Sequence, residues 1–238
     1  MARVPRKWII GDGCLFHVTW QCHNKSWLLK HRWAKSLYYQ LLLCYKKKYE
    51  IVFYSYAFMD NHIHLSGKLK SLEQLSGFFR VVNSTFAKAI NQRMGRFGQV
   101  IRDRFKSPCL ETEKDLIQEM IYHDLNEVRA GKVFHPQNNE FSSYAHYAYG
   151  KPDPLLTDPE IYLQLGKTQE ERQMAYRGMV EEILRTAPRK KEGRYTEAYF
   201  IRDPLWVVKK YEDLKRFRCE QRWFNRQAIS NPTSRPPR

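Results

Sequence analysis

Two β-forming runs meet at Asp60-Asn61, and little besides a hairpin accommodates them. Residues 50–58, Glu-Ile-Val-Phe-Tyr-Ser-Tyr-Ala-Phe, are rich in β-branched and aromatic side chains and read as a strand. Asp60-Asn61 is turn chemistry, so residues 62–68 fold back as a second strand. Side chains alternate along a strand, so His62 and His64 share one face while Ile63 and Leu65 take the other. Two imidazoles so placed sit roughly 7 Å apart at Cβ, near enough to converge on one metal ion and leave its far side open. The same pair also suits two solvated histidines on an open strand.

Charge is the strongest global property. The chain has 238 residues, 41 Lys and Arg against 25 Asp and Glu, and a formal net charge of +16. A chain this basic is expected to meet a polyanion, nucleic acid before an anionic membrane surface. Hydrophobic residues make up 42%, enough for a real core in one large domain. No apolar run is long enough to span a bilayer, so no membrane association is expected. Cys14, Cys22, Cys44, Cys109 and Cys219 are scattered and odd in number, which indicates neither a disulfide framework nor a zinc knuckle. A cytoplasmic protein with reduced thiols is the expectation.

Taken in order, residues 15–22 alternate and form a first strand. Residues 31–49 have helical period, with Trp33, Leu37, Leu41 and Cys44 as the stripe. The hairpin strands follow, then a helix that starts at Ser71 and runs to about Arg93 on Leu75, Phe78, Phe79, Val82, Phe86 and Ile90. Residues 97–110 read as a strand with Arg102, Arg104 and Lys106 on one face, and Pro108 marks it as an edge. Strand, helix, strand, strand, helix, strand is the split βαβ pattern, so the fold class is α+β, a ferredoxin-like βαββαβ antiparallel sheet with both helices on one face. A further helix over 113–131 carries Ile117, Ile121, Leu125 and Val128 as its stripe and ends at Gly131. Tyr122 and Asn126, four residues apart, flank that stripe. The aromatic stretch 141–150 reads as a short packing helix, and 168–187 as an amphipathic one. Residues 188–193 suggest a linker and 231–238 a disordered end.

The motifs together resemble a known family, the REP-associated tyrosine transposases of the HUH single-strand endonucleases. The resemblance begins at Phe16-His17-Val18-Thr19 and continues through Met59-Asp60-Asn61-His62-Ile63-His64-Leu65 and Asn91-Gln92-Arg93-Met94-Gly95. It goes on through Arg102-Asp103-Arg104-Phe105-Lys106-Ser107 and Tyr122-His123-Asp124-Leu125-Asn126-Glu127-Val128-Arg129-Ala130-Gly131. Five motifs in order are a strong signal, and they cover roughly residues 5–185. The resemblance implies a catalytic domain over 1–150, a helical extension over 151–188 and a basic tail over 189–238. It implies a divalent metal, Mg²⁺ or Mn²⁺, and single-stranded or hairpin DNA as partner, handled by a monomer or homodimer. By motif position it makes His62, His64 and Asn126 the metal ligands and Tyr122 the nucleophile. Arg102, Arg104 and Lys106 are the first candidates for DNA contact.

Those residue types suit the chemistry. A phenol with a pKa near 10 is a poor nucleophile at neutral pH, and a metal ion on the scissile phosphate offsets its charge. Two imidazoles and an amide oxygen leave open positions, whereas a structural zinc site closes with four protein ligands. One departure stands out. Glu127 occupies the position where the family has proline, so the helix is expected to run on through Asn126. Two further readings stay open: a DNA-binding descendant that has lost turnover, and a metal-dependent hydrolase that uses water instead of tyrosine.

Overall fold

Alternation decides which side of each strand meets the helices, and the computed structural model shows the outcome. It describes residues 6–110, 112–187, 200–201 and individual helical positions between 205 and 219. The expected linker at 188–193 and the expected disordered end at 231–238 lie outside the described residues. Two compact units are formed, Met1–Ile201 and Arg202–Arg238; the described positions of the second are helical.

The first unit opens β1 (Leu15–Gln21), α1 (Arg32–Lys46), β2 (Val52–Phe58), β3 (His62–Lys68), α2 (Leu72–Arg93) and β4 (Cys109–Leu110). The sheet order is β2-β3-β1-β4, all neighbours antiparallel, which is the expected ferredoxin-like arrangement. A two-residue β5 (Phe200–Ile201) adds in parallel beside β4, so β4 is not an edge. Beyond the sheet come α3 (Glu113–Asp124), α4 (Asn126–Arg129), α5 (Tyr144–Tyr149), α6 (Glu160–Leu163) and α7 (Gln169–Thr186).

One sheet face is apolar. Phe16, Val18 and Trp20 of β1 and Ile63 and Leu65 of β3 are buried there. Trp20 packs on Tyr38 of α1 and Phe86 of α2, and its indole N–H donates to the Tyr38 hydroxyl at 2.7 Å. The α1 stripe is rotated one position from the expected one. Ala34, Tyr38 and Leu42 are buried, Trp33 and Leu37 are only half-buried beside α2, and Cys44 is exposed. Ser71 caps α2 as expected, its hydroxyl accepting from the Gln74 N–H. Gly67 is needed where β2 crosses β3, because a Cβ there would stand 2.0 Å from the Val52 carbonyl oxygen. The register also shifts between Phe53 and Ser55, which turns Ser55 to the polar face while Phe53 stays among Phe16 and Phe78.

The strand expected over 97–110 is mostly absent. Only Cys109–Leu110 is regular, with isolated bridges at Ile101 and Lys106. Phe105 turns inward against Phe79, with ring centroids 4.6 Å apart, and the Arg6 guanidinium covers it at 3.5 Å. The backbone bends at Asp103 and Arg104, and Arg102, Asp103 and Arg104 are exposed in succession, which breaks the alternation. Arg102, Arg104 and Lys106 are nevertheless all exposed.

Candidate functional site

The other sheet face is polar and α3 lies across it. β1 contributes His17 and Thr19, β3 contributes His62, His64 and Ser66, and β2 contributes Ser55; Thr19 pairs with His64 and His17 with Ser66. An exposed face of this composition would be unremarked. Here His17, Ser55 and Ser66 are 0% exposed and His64 is 1% exposed. Buried polar groups need partners, and they find them in one another and in α3. Ser55 and Ser66 share a hydrogen bond at 2.6 Å, and Ser55 meets His123 Nδ1 at 2.7 Å. Glu119 lies one turn before His123 and presents Oε1 2.9 Å from His17 Nδ1.

This network sets the tautomer of His64. A single proton on His17 Nδ1, on the side of this carboxylate oxygen, is the tautomer that suits the contact. His17 Nε2 then accepts from His64 Nδ1, at 2.9 Å. His64 keeps its Nε2 lone pair, and burial holds it neutral, its pKa well below the usual histidine value. His62 is fixed in the same sense from the other side. Asn61 donates its amide to the Lys25 carbonyl and so turns Oδ1 to His62 Nδ1, at 2.6 Å. An amide oxygen only accepts, so His62 carries its proton on Nδ1 and its lone pair on Nε2. Burial pushes the His62 pKa down to about 4 against the opposing pull of Asp60. The two rings stand 5.0 Å apart at 80°.

Tyr122 joins this pair. Its ring is 6.2 Å from His64, and the side chain is 6% exposed. The Arg129 guanidinium lies 4.4 Å over the Tyr122 ring and donates to the Tyr122 carbonyl at 2.7 Å. Contrary to the expected continuous helix, the chain breaks at Leu125 (φ −85°, ψ −1°), and Asn126 opens α4. Glu127 therefore does not prolong α3 as its helical geometry allows. It is buried instead and meets the Lys35 ammonium at 3.5 Å, while Lys35 also reaches Asp60 at 3.4 Å. Asn126 is 7% exposed, and its Nδ2 has no hydrogen-bond partner.

The structure thus brings His62, His64 and Tyr122 together, with Asn126 buried one turn from Tyr122. It adds residues that the sequence reading did not single out: His17, Glu119, Asn61 and, as a site residue, His123. His17, His64 and His123 each place one nitrogen within 4.8 Å of the others and could hold a metal ion. The i, i+4 spacing of Glu119 and His123 on α3 was the available signal. Arg102, Arg104 and Lys106 take no part in this buried cluster.

Comparison with known proteins bears on this geometry. Residues 12–106 match the family model of IS200-like transposases. That span holds β1, His17, both β3 histidines and the three basic candidates. The fold is similar to a solved structure described as the REP-associated tyrosine transposase bound to a REP hairpin, with TM-score 0.53, 18% identity, and coverage of 67% of this chain and 93% of that one. No curated protein matches. The transposase-matched segment stops before α3, so Tyr122, His123 and Asn126 rest on the geometry alone. No helix among the described residues is long and apolar enough to cross a membrane.

Asp124, next to this site, ties α3 to the C-terminal helices. It accepts from the Ser143 hydroxyl at 2.8 Å and the Tyr176 hydroxyl at 2.7 Å. Burial outweighs both donors and pushes its pKa up to about 7 from 3.8. The folded state therefore holds a proton that the unfolded chain has already lost. Stability is full below the unfolded value and falls as pH rises through the window to about 7. Urea unfolding at pH 5 and pH 8 checks this: the wild type loses roughly 2–3 kcal/mol more than Asp124→Asn over that interval. Equal losses contradict it.

Proposed function

We propose that the protein is a metal-dependent single-strand DNA endonuclease and strand transferase of the transposase type, acting on hairpin-associated DNA through a covalent Tyr122 intermediate. The observation that carries this reading is the convergence of His62, His64 and Tyr122 on one sheet face, with both imidazoles hydrogen-bonded through Nδ1. The match of residues 12–106 to IS200-like transposases and the shared fold support it.

The residues fit a divalent cation. Two neutral imidazoles offer lone pairs, and a buried Asn126 amide has no hydrogen bond on one of its two heavy atoms. Nitrogen and oxygen are exchanged by a simple amide rotation. His62, His64 and Asn126 would hold the ion, Mn²⁺ or Mg²⁺, with positions left for phosphate oxygens. Once bound, it supplies charge neutralisation on the scissile phosphate. The partners of the ligands follow a known logic: Asn61 and the His17–Glu119 pair fix the imidazole tautomers. The three-histidine cluster is a different candidate. It is fully buried, so an ion among His17, His64 and His123 would have no face open to DNA and would be structural.

Tyr122 does the covalent work. Its oxygen forms a bond to phosphorus, the bond from phosphorus to the 3′ oxygen breaks, and the phenol proton passes to solvent while the 3′ oxygen gains one. One phosphodiester is exchanged for another, so rejoining needs no ATP. Arg129 fixes the ring and its backbone, which holds the nucleophile in place.

The +16 charge requires that DNA binding weaken steeply with salt. The slope of log K against log salt is about 0.7 per neutralised phosphate on a single strand. Alanine at the exposed Arg102, Arg104 and Lys106 together is expected to lower that slope by roughly 2 units. Anisotropy titrations between dilute and physiological salt measure it, and an unchanged slope in the triple variant removes these residues from the interface.

A further inference from the structure

The β1–α1 loop carries Trp27, which is 55% exposed although tryptophan is costly to leave in water. The loop is built against the turn that precedes the histidines. The Cys22 N–H donates to the Asn61 carbonyl at 2.8 Å, and the Leu29 N–H donates to the Asp60 carbonyl at 3.0 Å. The Asn61 amide donates to the Lys25 carbonyl and, on its other side, accepts from His62. Asn24 and Lys25 both adopt left-handed backbone, φ 52° and 54°. Two successive non-glycine residues there are strained, and strain of this kind gathers at working surfaces.

Cations surround the indole. Lys132 Nζ stands 4.5 Å above the ring and Lys30 Nζ stands 5.8 Å from it. Lys132 is held by Asp60 at 3.0 Å, and Lys35 approaches the other oxygen of the same carboxylate, so the acid is neutralised locally. A half-exposed indole with ammonium groups beside it suits one ligand class: a nucleobase with its charged backbone. Stacking on such a ring tolerates any base, because every base has a π-face.

We propose that Trp27 is the stacking platform for an unpaired base flanking the phosphate handled at His62, His64 and Tyr122. The inference rests on the DNA-processing reading above and adds the position of the strand beside the site. Binding is measured by anisotropy, without metal, on a labelled single-stranded 20-mer of mixed sequence and on a fully abasic strand of equal length. Trp27→Ala is expected to bind the base-bearing strand about 5- to 100-fold more weakly, and Trp27→Phe is expected to lose less. All three proteins are expected to bind the abasic strand alike. Equal affinity of Trp27→Ala and wild type for the base-bearing strand overturns the proposal, as does an equal loss on the abasic strand. Wild-type adduct formation on the same 20-mer with Mn²⁺ reports the underlying reading separately. A wild type that binds no single strand overturns both.

Discussion

Tyr122→Phe binds single-stranded DNA with wild-type affinity and forms no covalent product with it. The substitution removes one oxygen and keeps the ring, so the contact with His64 and the Arg129 guanidinium above the ring both survive. The Arg129 bond to residue 122 is to the backbone carbonyl and is untouched. Loss of the nucleophile should lower cleavage by several orders of magnitude, since covalent catalysis offers no parallel route once its attacking group is gone. Tyr144 and Tyr147 cannot replace it. Both are 0% exposed and packed in an aromatic cluster with Tyr176, whose hydroxyl donates to Asp124. Gel shift and denaturing electrophoresis on one oligonucleotide separate the two effects. Cleavage that persists in the variant assigns the chemistry to water.

The two β3 histidines are expected to separate in a way that strand alternation alone does not foresee. From alternation they are equivalent exposed positions, and alanine at either should leave the fold intact. In the structure His64 is fully buried while His62 remains partly open. His62→Ala is expected to lower metal affinity by at least about 10- to 100-fold, the loss seen even for partners of ligands. Its stability should change by less than about 1 kcal/mol. His64→Ala loses metal affinity as well, but it also strands His17 Nε2 and opens a void, at a cost of about 1–3 kcal/mol for the unmet hydrogen bond alone. Mn²⁺ titration and thermal unfolding of both variants decide the matter. Equal stability of the two would mean that the buried network contributes nothing.

The hairpin, both sheet helices and the strand order were legible because each depends on local pattern: period two at 62–68, helical period with a Ser71 cap at 72–93. The basic edge was misread. A strand over 97–110 fails because the backbone bends at Asp103 and Arg104 and leaves Arg102, Asp103 and Arg104 exposed in succession, which the sequence alternation does not show. The break at Leu125 was missed for a related reason. Proline was the expected breaker, yet the chain turns without it. Arg129 bonds the Tyr122 carbonyl, and Glu127 finds Lys35 across the site. His62 and His64 were singled out by strand alternation, and Tyr122 by its place in the motif that carries the family resemblance. His17, Glu119 and Asn61 were not, since each acts through a partner 47, 102 or a single position away in the chain, and only the folded sheet shows which partner matters.

The central claim is that the Tyr122 oxygen becomes bonded to DNA phosphorus. It is tested most directly by incubating the full chain with Mn²⁺ and a hairpin-containing single-stranded oligonucleotide library, digesting with trypsin and nuclease, and mapping the adduct by mass spectrometry. The peptide covering 115–129 contains Tyr122 as its single tyrosine. The account predicts a nucleotide phosphate on that peptide, absent when metal is chelated. An adduct on any other tyrosine, or cleavage without an adduct, contradicts it.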